Sequence, residues 1–448
     1  MAENQPGPVK RPNENRMSNE SPFSSYAAGL RELIRGTSRR APGSKDVQET
    51  PGGLSFSSLT SLSSLKTGDV PGSKTTSKDV RDVEFVGRLS RFDELALELF
   101  ALQFERLSVY RRFCQARGVT PETISAWVDI PAVPTAAFKE FEFTSLSPVE
   151  RTVVFHSSGT TTHRTSCHFH SQDSIELYEA SALGWFQQHL LPDADSLTAR
   201  GAKEKRLPFL MLTPPSVQAP NSSLVHMFET IRREFAADDS AFVGQLVTPG
   251  EWTVDRTKAW VWLSNAAMRN QPVVLLGTAF GFVELLDWMA EKDLHVQLAS
   301  GSRALETGGY KGRTRALPKE ELHSLMTERL GIPSTRIVSE YGMSELSSQA
   351  YDRVADVEKS PIANRKSQID RRLFRFPPWA RLQIVSPETG REVAEGETGL
   401  IRVFDLANVR SVLAIQTEDL GVRRAEGFEL LGRAAFAEPK GCSLMTAS

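Results

Sequence analysis

From about residue 153 to residue 339 the sequence alternates short apolar runs with longer amphipathic segments. The apolar runs, rich in Val, Ile, Leu and Phe, lie at 153–155, 208–212, 241–247, 273–278 and 336–339. The segments with helical spacing lie at 172–189, 222–235, 255–267, 282–292 and 318–330. Strands that alternate with helices usually pair in parallel, because each helix carries the chain back across the sheet. The pattern predicts an α/β fold, a layered domain with a mostly parallel sheet.

The two ends of the chain differ from this central part. Residues 1–83 are rich in Ser, Pro, Gly, Asn and Thr, and this composition predicts a disordered tail that carries no chemistry. An amphipathic helix near 91–116 opens the ordered part, and we expect residues 84–448 to form one domain. From about residue 380, apolar runs at 382–385 and 399–403 around a Pro-Glu-Thr-Gly turn predict a small, mostly antiparallel β unit.

Charge and cysteine content exclude several classes of protein. A net charge of −2 over 448 residues gives no electrostatic basis for binding nucleic acid or an anionic membrane. The cysteines Cys114, Cys167 and Cys442 are too few and too scattered for a disulfide framework, which fits a reducing compartment. The N-terminus lacks the apolar stretch of a signal peptide, and the most apolar window, 272–290, contains Glu284. We therefore expect a cytoplasmic protein without a transmembrane segment and without a nucleic-acid partner.

A loop of Ser, Thr and Gly residues follows the first predicted strand, at 153–155. It reads His-Ser-Ser-Gly-Thr-Thr-Thr over residues 156–162. Its hydroxyl and backbone N–H groups could bind phosphate oxygens, and a following helix would add its positive end. The loop lacks the Gly-Lys-Ser/Thr ending of a Walker A motif. A solvated turn of the same composition is the alternative interpretation.

A second segment, Ser-Glu-Tyr-Gly-Met-Ser-Glu at 339–345, follows the apolar run that begins at 336. Open α/β sheets bind ligands at the carboxyl ends of their strands, so this is a favourable position for a site. Glu345 offers hard oxygen ligands for Mg²⁺ held against a nucleotide phosphate, and Tyr341 could stack on a base. The closing glycine of a serine-hydrolase elbow is missing, which argues against that chemistry.

A third segment lies near the end of the chain. Thr-Glu-Asp at 417–419 is followed by Gly432 and Arg433. Asp419 could accept hydrogen bonds from both hydroxyls of a ribose, because a carboxylate offers two acceptor oxygens. Arg433 could reach a phosphate or the same ribose.

Taken together and in this order, the segments resemble those of the adenylate-forming enzyme superfamily, which includes acyl-CoA synthetases, luciferases and peptide-synthetase adenylation domains. Within it, the chain is most similar to the bacterial luciferase-associated acyl-protein synthetases, also called long-chain-fatty-acid–luciferin-component ligases. The likeness covers about residues 90–448. The segments that carry it lie at 156–161, 221–227, 276–280, 308–312, 341–351, 432–433 and 441–444.

The resemblance implies that a carboxylic acid attacks the α-phosphate of ATP bound with Mg²⁺, giving an acyl-adenylate and pyrophosphate. The residues that it assigns to the departing phosphates are Ser157, Ser158, Gly159, Thr160 and Thr161. Those assigned to the adenine and ribose are Gly308, Gly309, Tyr341, Gly342 and Asp419. Those assigned to the reaction are Ser344 at the α-phosphate, Glu345 as the Mg²⁺ ligand and Arg433 near the hinge region.

In the acyl-protein synthetases a cysteine near the C-terminus accepts the acyl group as a thioester before passing it on. Cys442 matches that cysteine in position, and Lys440 beside it could raise its thiolate fraction. The resemblance therefore implies transfer from Cys442 to a partner, an acyl-accepting reductase or a carrier protein. An incidental cysteine near the terminus is the alternative interpretation.

The chain departs from the superfamily pattern at several positions. Thr162 stands where a glycine is expected, and Arg164 stands near the position where most members have a lysine. Because the chain ends fifteen residues after Arg433, we expect it to lack the usual mobile C-terminal domain and its catalytic lysine, as the acyl-protein synthetases do. Lys311 or Lys440 is a candidate for the replacement cation.

Four histidines crowd the segment around the Ser/Thr loop. They are His156, His163, His168 and His170, with Cys167 among them. If residues 166–170 form a strand, His168 and His170 share one face, as two metal ligands would. The favoured interpretation is a polar surface, because the sequence has no second cluster at ligand spacing.

Two rival functions stay open at this point. One is an acyl-CoA or acyl-carrier ligase in which Cys442 is idle, and the other is a catalytically silent module that binds a nucleotide or an acyl group. The retained Glu345, Asp419 and Arg433 argue against the silent module. The resemblance implies a long-chain fatty acid as the substrate, with an aromatic acid as the alternative.

Overall fold

The computed structural model describes residues 21–38, 79–157, 165–193, 206–248, 251–310, 314–355 and 372–434, with only the backbone described at 38 and 79–90. Within these ranges the helices are α1 Pro22–Ser38, α2 Asp79–Arg106, α3 Ser108–Gln115, α4 Gln172–Leu190, α5 Ser223–Phe235, α6 Arg256–Met268, α7 Ala279–Glu291 and α8 Lys319–Leu330. The strands are β1 Val133–Pro134, β2 Val153–His156, β3 Cys167–His170, β4 Phe209–Met211, β5 Ala241–Phe242, β6 Gly244–Thr248, β7 Glu251–Val254, β8 Val274–Thr278, β9 Arg303–Thr307, β10 Ile337–Tyr341, β11 Ala350–Tyr351, β12 Ala380–Val385, β13 Thr398–Asp405, β14 Ala414–Arg424 and β15 Gly427–Arg433.

A six-stranded sheet forms the centre of the molecule, in the order β11-β10-β9-β8-β4-β5. Every neighbouring pair from β10 to β5 is parallel, and only β11 is antiparallel. Strands β8, β9 and β10 are buried along their whole length. Continuous burial is expected for parallel strands with helices on both faces. The predicted layered α/β domain with a mostly parallel sheet is thus confirmed.

Separate hydrophobic clusters cover the two faces of this sheet. In β8, Leu275 belongs to the cluster formed with α6, α7 and α8, whereas Val274 and Leu276 belong to the cluster formed with α4 and α5. Successive side chains of a strand point to opposite faces, so one apolar run supplies both clusters. Burying each such side chain stabilises the fold by about 1.5–3 kcal/mol.

The small β unit predicted from about residue 380 corresponds to a second sheet. Strands β12, β13, β14 and β15 pair antiparallel in sequence, as expected for the small β unit. The short strand β1 joins the sheet in parallel beside β14, which the sequence pattern did not predict. This sheet packs on α2 through one cluster that contains Leu99, Phe100, Trp379 and Phe404.

The prediction of a disordered tail is wrong for residues 22–38, which form α1, and for residues 79–83, which begin α2. Its buried side chains recur at helical spacing and are Phe23, Tyr26, Ala27, Leu30 and Ile34. This apolar stripe packs on α4 and α2, and Tyr26 donates to the carbonyl of Leu95 at 3.2 Å. A short amphipathic helix was missed because its Ser- and Pro-rich neighbours dilute its composition, while its stability comes from tertiary packing. The rest of the predicted tail up to residue 78 lies outside the described residues.

Other boundaries also differ from the predicted ones. The long N-terminal helix divides at Leu107 into α2 and α3. Strand β9 was not predicted, because Arg303 and Glu306 interrupt its apolar residues; Arg303 is buried against Asp193 at 2.8 Å. The run at 241–247 divides into β5 and β6, and β6 forms a hairpin with β7. Across the described ranges, no helix combines the length and the apolarity that a membrane crossing requires.

Candidate active site

The carboxyl ends of β9 and β10 bring two of the predicted segments side by side. Thr307 pairs with Glu340 across these parallel strands, so the next residues, Gly308 and Tyr341, also lie at the same edge of the sheet. Gly308 has a positive φ of 69°, which turns the chain as it leaves β9. A methyl group added at Gly308 or Gly309 would meet no heavy atom within 4 Å, so both glycines border open space.

Glu345 lies at the end of the Tyr-Gly-Met-Ser-Glu segment with its carboxylate buried. Ser166 donates to its Oε1 at 2.5 Å and Ser344 donates to its Oε2 at 2.9 Å. Among the ion pairs of the described residues, none includes Glu345. Within the described residues, the Glu345 carboxylate therefore has two serine hydroxyls as donors and no basic partner.

The same contacts connect Glu345 with the base of the Ser/Thr loop. Strands β2 and β3 form an antiparallel hairpin in which His156 pairs with Cys167. One position further, the Ser166 N–H donates to Ser157 Oγ at 3.0 Å and the Ser157 N–H donates to the Ser166 carbonyl at 3.2 Å. The loop therefore returns through β3 before α4 begins, so the helix does not follow the loop directly as predicted. Ser166 joins Ser157 to Glu345, and the sequence pattern did not single it out.

Several residues singled out in the sequence lie outside the described residues. They are Ser158, Gly159, Thr160, Thr161, Thr162, His163 and Arg164 of this loop, Cys442 as the acyl acceptor, and Lys311 and Lys440 as candidate cations. Of the residues predicted to bind the phosphates, Ser157 lies within the described part of the chain, directly after β2.

The backbone around Glu345 is held by polar side chains from the end of β13 and from the loop that follows it. Asn408 Nδ2 donates to the Glu345 carbonyl at 3.0 Å. Asp405 accepts from the Ser347 N–H at 2.9 Å and from the Ser348 hydroxyl at 2.7 Å. Burial raises the pKa of Asp405 to about 6, although these hydrogen bonds oppose the rise. The sequence signal for this support is an Asp at the end of an apolar strand, and Asp405 belongs to none of the recognised motifs.

His168 and His170 lie on one buried face of β3, as the strand hypothesis required, with ring centroids 4.5 Å apart. His168 Nδ1 contacts the Ser344 carbonyl at 2.8 Å, so this nitrogen carries the proton. Burial lowers the pKa of His168 to about 4. Burial also lowers the pKa of His170 well below its usual value, and the neighbouring His168 and His226 lower it further. Among the described residues no group of three or more His, Cys, Asp and Glu could hold a metal ion. Because burial lowers both pKa values and His168 donates to the Ser344 carbonyl, the pair is a neutral polar support beside Ser344.

Tyr341 connects the central sheet with the C-terminal sheet. Its hydroxyl donates to Asp419 Oδ2 at 2.9 Å, while its ring packs edge-on against Phe374 and Phe428. Burial raises the pKa of Asp419, and the bond from Tyr341 and the charge of Arg433 oppose that rise. Arg433 Nε lies 3.9 Å from Asp419 Oδ1 with 81% of its side chain exposed. The predicted ribose and hinge residues thus meet the predicted base-stacking residue at one edge.

Two further buried carboxyl groups, Glu306 and Glu340, lie on β9 and β10 behind this edge. Burial would raise the pKa of Glu306, but Lys319 and His323 beside it lower the value to about 2. Burial raises the pKa of Glu340 to about 7, against a hydrogen bond from Thr307. The sequence did not mark either residue, because an acidic residue inside a strand has no motif of its own. Pairs of acids with separated pKa values are common near functional sites.

Comparison with known proteins places the chain among characterised sequences. The family model described as acyl-protein synthetase, LuxE, matches residues 89–448. A protein from Aliivibrio fischeri named long-chain-fatty-acid–luciferin-component ligase is 20% identical over 372 residues, which cover 80% of this chain and 88% of that protein. A protein of the same name from Vibrio harveyi is 23% identical over 347 residues, covering 75% of this chain and 82% of the relative.

Solved structures give the same fold. A 2-hydroxyisobutyryl-CoA ligase, crystallised in an open conformation with its acyl-adenylate and CoA, superposes with a TM-score of 0.53. It is 13% identical, and the superposition covers 80% of this chain and 70% of the ligase. A second structure of that ligase, in the post-adenylation state, superposes with a TM-score of 0.51. At this level of identity the likeness shows a shared fold.

Proposed function

This chain belongs to the LuxE acyl-protein synthetase family, and we propose that it uses ATP to activate a long-chain fatty acid as an acyl-adenylate. In this reaction a carboxylate oxygen of the acid attacks the α-phosphorus of ATP, the bond from that phosphorus to the bridging oxygen breaks, and pyrophosphate leaves. The chain length of the acid is taken from the names of the two curated relatives.

The observation that carries this proposal is the meeting of Ser157, Ser166, Ser344 and Glu345 at the carboxyl edge of the central sheet. Parallel α/β sheets bind their ligands at this edge. Ser157 Oγ, which accepts from the Ser166 N–H, can still donate its own O–H to a phosphate oxygen, while the hydroxyls of Ser166 and Ser344 donate to Glu345. Adenylation needs mainly positioning and neutralisation of phosphate charge; this arrangement would supply the positioning, and a cation held at Glu345 would supply the positive charge.

Glu345 fits the role of a Mg²⁺ ligand. Mg²⁺ usually takes one or two protein carboxylates and completes its coordination with phosphate oxygens and water. A buried carboxylate whose contacts are the hydroxyls of Ser166 and Ser344 suits such a site. When bound, the ion supplies positive charge that stabilises the phosphate oxygens. The two serines keep the carboxylate directed toward the phosphates.

The nucleoside would lie beside Tyr341 and Asp419. Gly308 and Gly309 leave open space where the adenine would pass, because neither has a side chain to fill it. Asp419 Oδ1, whose partner oxygen is held by Tyr341, would accept from the ribose hydroxyls. The exposed Arg433 would approach the ribose or a phosphate from the solvent side.

The second half of the proposal is transfer of the acyl group to Cys442. The thiolate attacks the carbonyl carbon of the adenylate, the bond from that carbon to the phosphate oxygen breaks, and AMP leaves. The thioester then passes the acyl group to a partner protein, a reductase or a carrier. The match of Cys442 to the family's C-terminal cysteine supports this step, as does the name luciferin-component ligase that the relatives carry.

Exchange of labelled pyrophosphate into ATP tests the activation step, and covalent labelling of the protein by radioactive acid tests the transfer to Cys442. We expect acid-dependent exchange that is fastest with long-chain fatty acids in a panel that includes aromatic acids. Cys442→Ser should keep this exchange and lose covalent labelling by radioactive acid, whereas Cys167→Ser, a matched control, should keep both. Absence of exchange across the whole panel would refute activation.

Persistent labelling of Cys442→Ser would exclude that cysteine from the transfer. If Cys442→Ser forms acyl-CoA as fast as the unmodified chain, the acceptor is coenzyme A and the protein is a CoA ligase.

A further inference from the structure

Helix α1 lies outside residues 89–448, which match the family, yet it makes specific polar contacts with that region. Ser24 donates to Asp173 at 2.9 Å, and Arg31 forms an ion pair with Glu176. Both acceptors lie in the first turns of α4. The contacts therefore concentrate at the point where β3 passes into α4.

Arg410 is the centre of these contacts. Its Nη2 donates to Asp173 Oδ2 at 2.5 Å, to Ser24 Oγ at 3.1 Å and to Ser21 Oγ at 3.3 Å. The ring of Phe23 lies 5.0 Å from its guanidinium carbon. Arg410 is 8% exposed, so few other partners can reach it. The residues at the start of α1 thus supply two of the three acceptors and the aromatic face that hold this side chain.

Arg410 belongs to the loop between β13 and β14, which also holds the candidate Mg²⁺ ligand. Asn408, two residues earlier, donates to the Glu345 carbonyl at 3.0 Å. Gln103 fixes the same loop by donating to the Asn408 carbonyl at 2.8 Å and accepting from the Leu413 N–H at 2.9 Å. Because Arg410 is two residues from Asn408, its contacts and those of Gln103 together hold the loop backbone next to Glu345.

Asp173, the other partner of the ion pair with Arg410, is also connected to Ser344 and Glu345. Asp173 follows β3 closely, and β3 is preceded by Ser166, which donates to the Glu345 side chain. His168 of β3 holds the Ser344 carbonyl. The Asp173–Arg410 pair thus joins two segments that each contact Ser344 or Glu345, and the start of α1 covers that pair.

We propose that α1 is a positioning element for the adenylation site: by completing the Asp173–Arg410 pair it fixes the two segments that hold Glu345. This inference depends on the proposed function for its effect on activity. Residues that orient a metal ligand typically change metal affinity by about 10- to 100-fold when they are removed. The expected consequence of undocking α1 is weaker use of Mg²⁺.

The test uses the full chain with Leu30→Asp, which places a charge in the buried stripe of α1, and Ala28→Asp as the control on its exposed face. We expect Leu30→Asp to raise the Mg²⁺ concentration for half-maximal pyrophosphate exchange about tenfold. The KM for the acid should stay unchanged. Ala28→Asp should match the unmodified chain. If Leu30→Asp does not fold, Arg410→Met replaces it, and Arg410→Lys should recover part of the loss because it keeps the charge.

Amide hydrogen exchange gives a readout that does not need activity. Undocking should speed exchange at Ser347, Ala407 and Leu413, whose N–H groups donate within this network. If residues 21–38 exchange fast while these amides and the Mg²⁺ dependence keep their original values, α1 contributes stability alone and the inference is refuted. If the unmodified chain exchanges no pyrophosphate with any acid, the proposed function fails, and the amide data alone decide the role of α1.

Discussion

Two buried carboxyl groups near the carboxyl edge of the sheet are held in different ways. Glu345 accepts from the hydroxyls of Ser166 and Ser344 and is the proposed Mg²⁺ ligand. Burial is the main influence on Glu340, which accepts from Thr307, and its pKa rises to about 7. The same residue type is therefore a proposed metal ligand at one position and titrates near neutrality at another, because the surroundings differ.

Replacing Glu345 with Gln should lower the rate of pyrophosphate exchange about 100-fold. A neutral amide would bind Mg²⁺ more weakly than a carboxylate does, and the ion would no longer stabilise the phosphates. The apparent affinity for Mg²⁺ should fall as well. Titrating Mg²⁺ in the exchange assay measures both effects. Glu388→Gln, which changes an exposed glutamate in the turn of the C-terminal sheet, serves as the control. An unchanged Mg²⁺ dependence in Glu345→Gln would remove this residue from the metal site.

Replacing Glu340 with Gln should change how stability depends on pH. The raised folded pKa, about 7 against an ordinary 4.5, means that the folded state keeps a proton that the unfolded state has released. Its contribution is fully present below about pH 4.5 and is lost as the pH rises through 7, a loss of about 3 kcal/mol. Relative to the unmodified chain, Glu340→Gln should therefore gain about 2–3 kcal/mol between pH 5 and pH 8.

Urea unfolding at several pH values measures this difference. Glu388→Gln, which changes an exposed side chain, is measured beside it as the control. A difference between Glu340→Gln and the unmodified chain that does not change with pH would mean that Glu340 titrates near its ordinary value in the folded protein.

At the level of elements, the sequence predicts best where the apolar pattern is uninterrupted. Strands β4, β8 and β10 were predicted from their Val, Leu and Ile runs, since burial on both faces demands apolar residues throughout. Strand β9 was missed because Arg303 is buried through its pairing with Asp193, a distant partner that no local pattern reveals. The loop residue Asn408 was missed for the same reason, as its partner Glu345 lies 63 residues away. The motifs marked the residues that are proposed to face the ligand, whereas the residues that support them are fixed by tertiary contacts that no motif shows.

Replacing Gly342 with Ala should strain the end of β10. A methyl group at this position would overlap Glu340 Oε1, whose carboxyl group is held by Thr307. We expect a loss of about 1–3 kcal/mol in the free energy of unfolding. In a Glu340→Ala background the same change should cost much less, because the overlapping atom is gone. Urea unfolding of the four chains measures the coupling.

The matched control for this prediction is Gly309→Ala, where an added methyl meets no heavy atom within 4 Å. It should leave the free energy of unfolding unchanged and raise the KM for ATP, because the methyl would occupy the open space proposed for the adenine. Equal costs for Gly342→Ala with and without Glu340 would show that the strand end adapts without strain.

At the scale of the whole molecule, the candidate site lies where two sheets meet. The central sheet supplies Tyr341 at the end of β10, and the C-terminal sheet supplies Asp419 from β14. The aromatic rings of Phe374 and Phe428 pack against Tyr341 and keep the two sheets in contact. A nucleotide bound there would touch both sheets, so their relative position sets the geometry of the site.

Replacing Tyr341 with Phe should weaken ATP binding and leave the packing between the sheets intact. The ring stays, but Asp419 loses the hydroxyl that opposes the rise of its pKa caused by burial. A hydrogen bond to a charged group is worth about 1.5–3 kcal/mol, so we expect the KM for ATP to rise about tenfold or more. The exchange rate at saturating ATP should change little. Kinetics of pyrophosphate exchange at varied ATP measure the two effects separately.

Tyr110→Phe is the control for this prediction, because it removes a buried hydroxyl that donates to the Pro131 carbonyl at 2.8 Å, away from Asp419. It should lower the free energy of unfolding and leave the KM for ATP unchanged. If Tyr341→Phe behaves in the same way, its hydroxyl acts only in folding and Asp419 holds the ribose without it. A rise in KM confined to Tyr341→Phe would instead mean that the contact between the sheets prepares the carboxylate for the nucleotide.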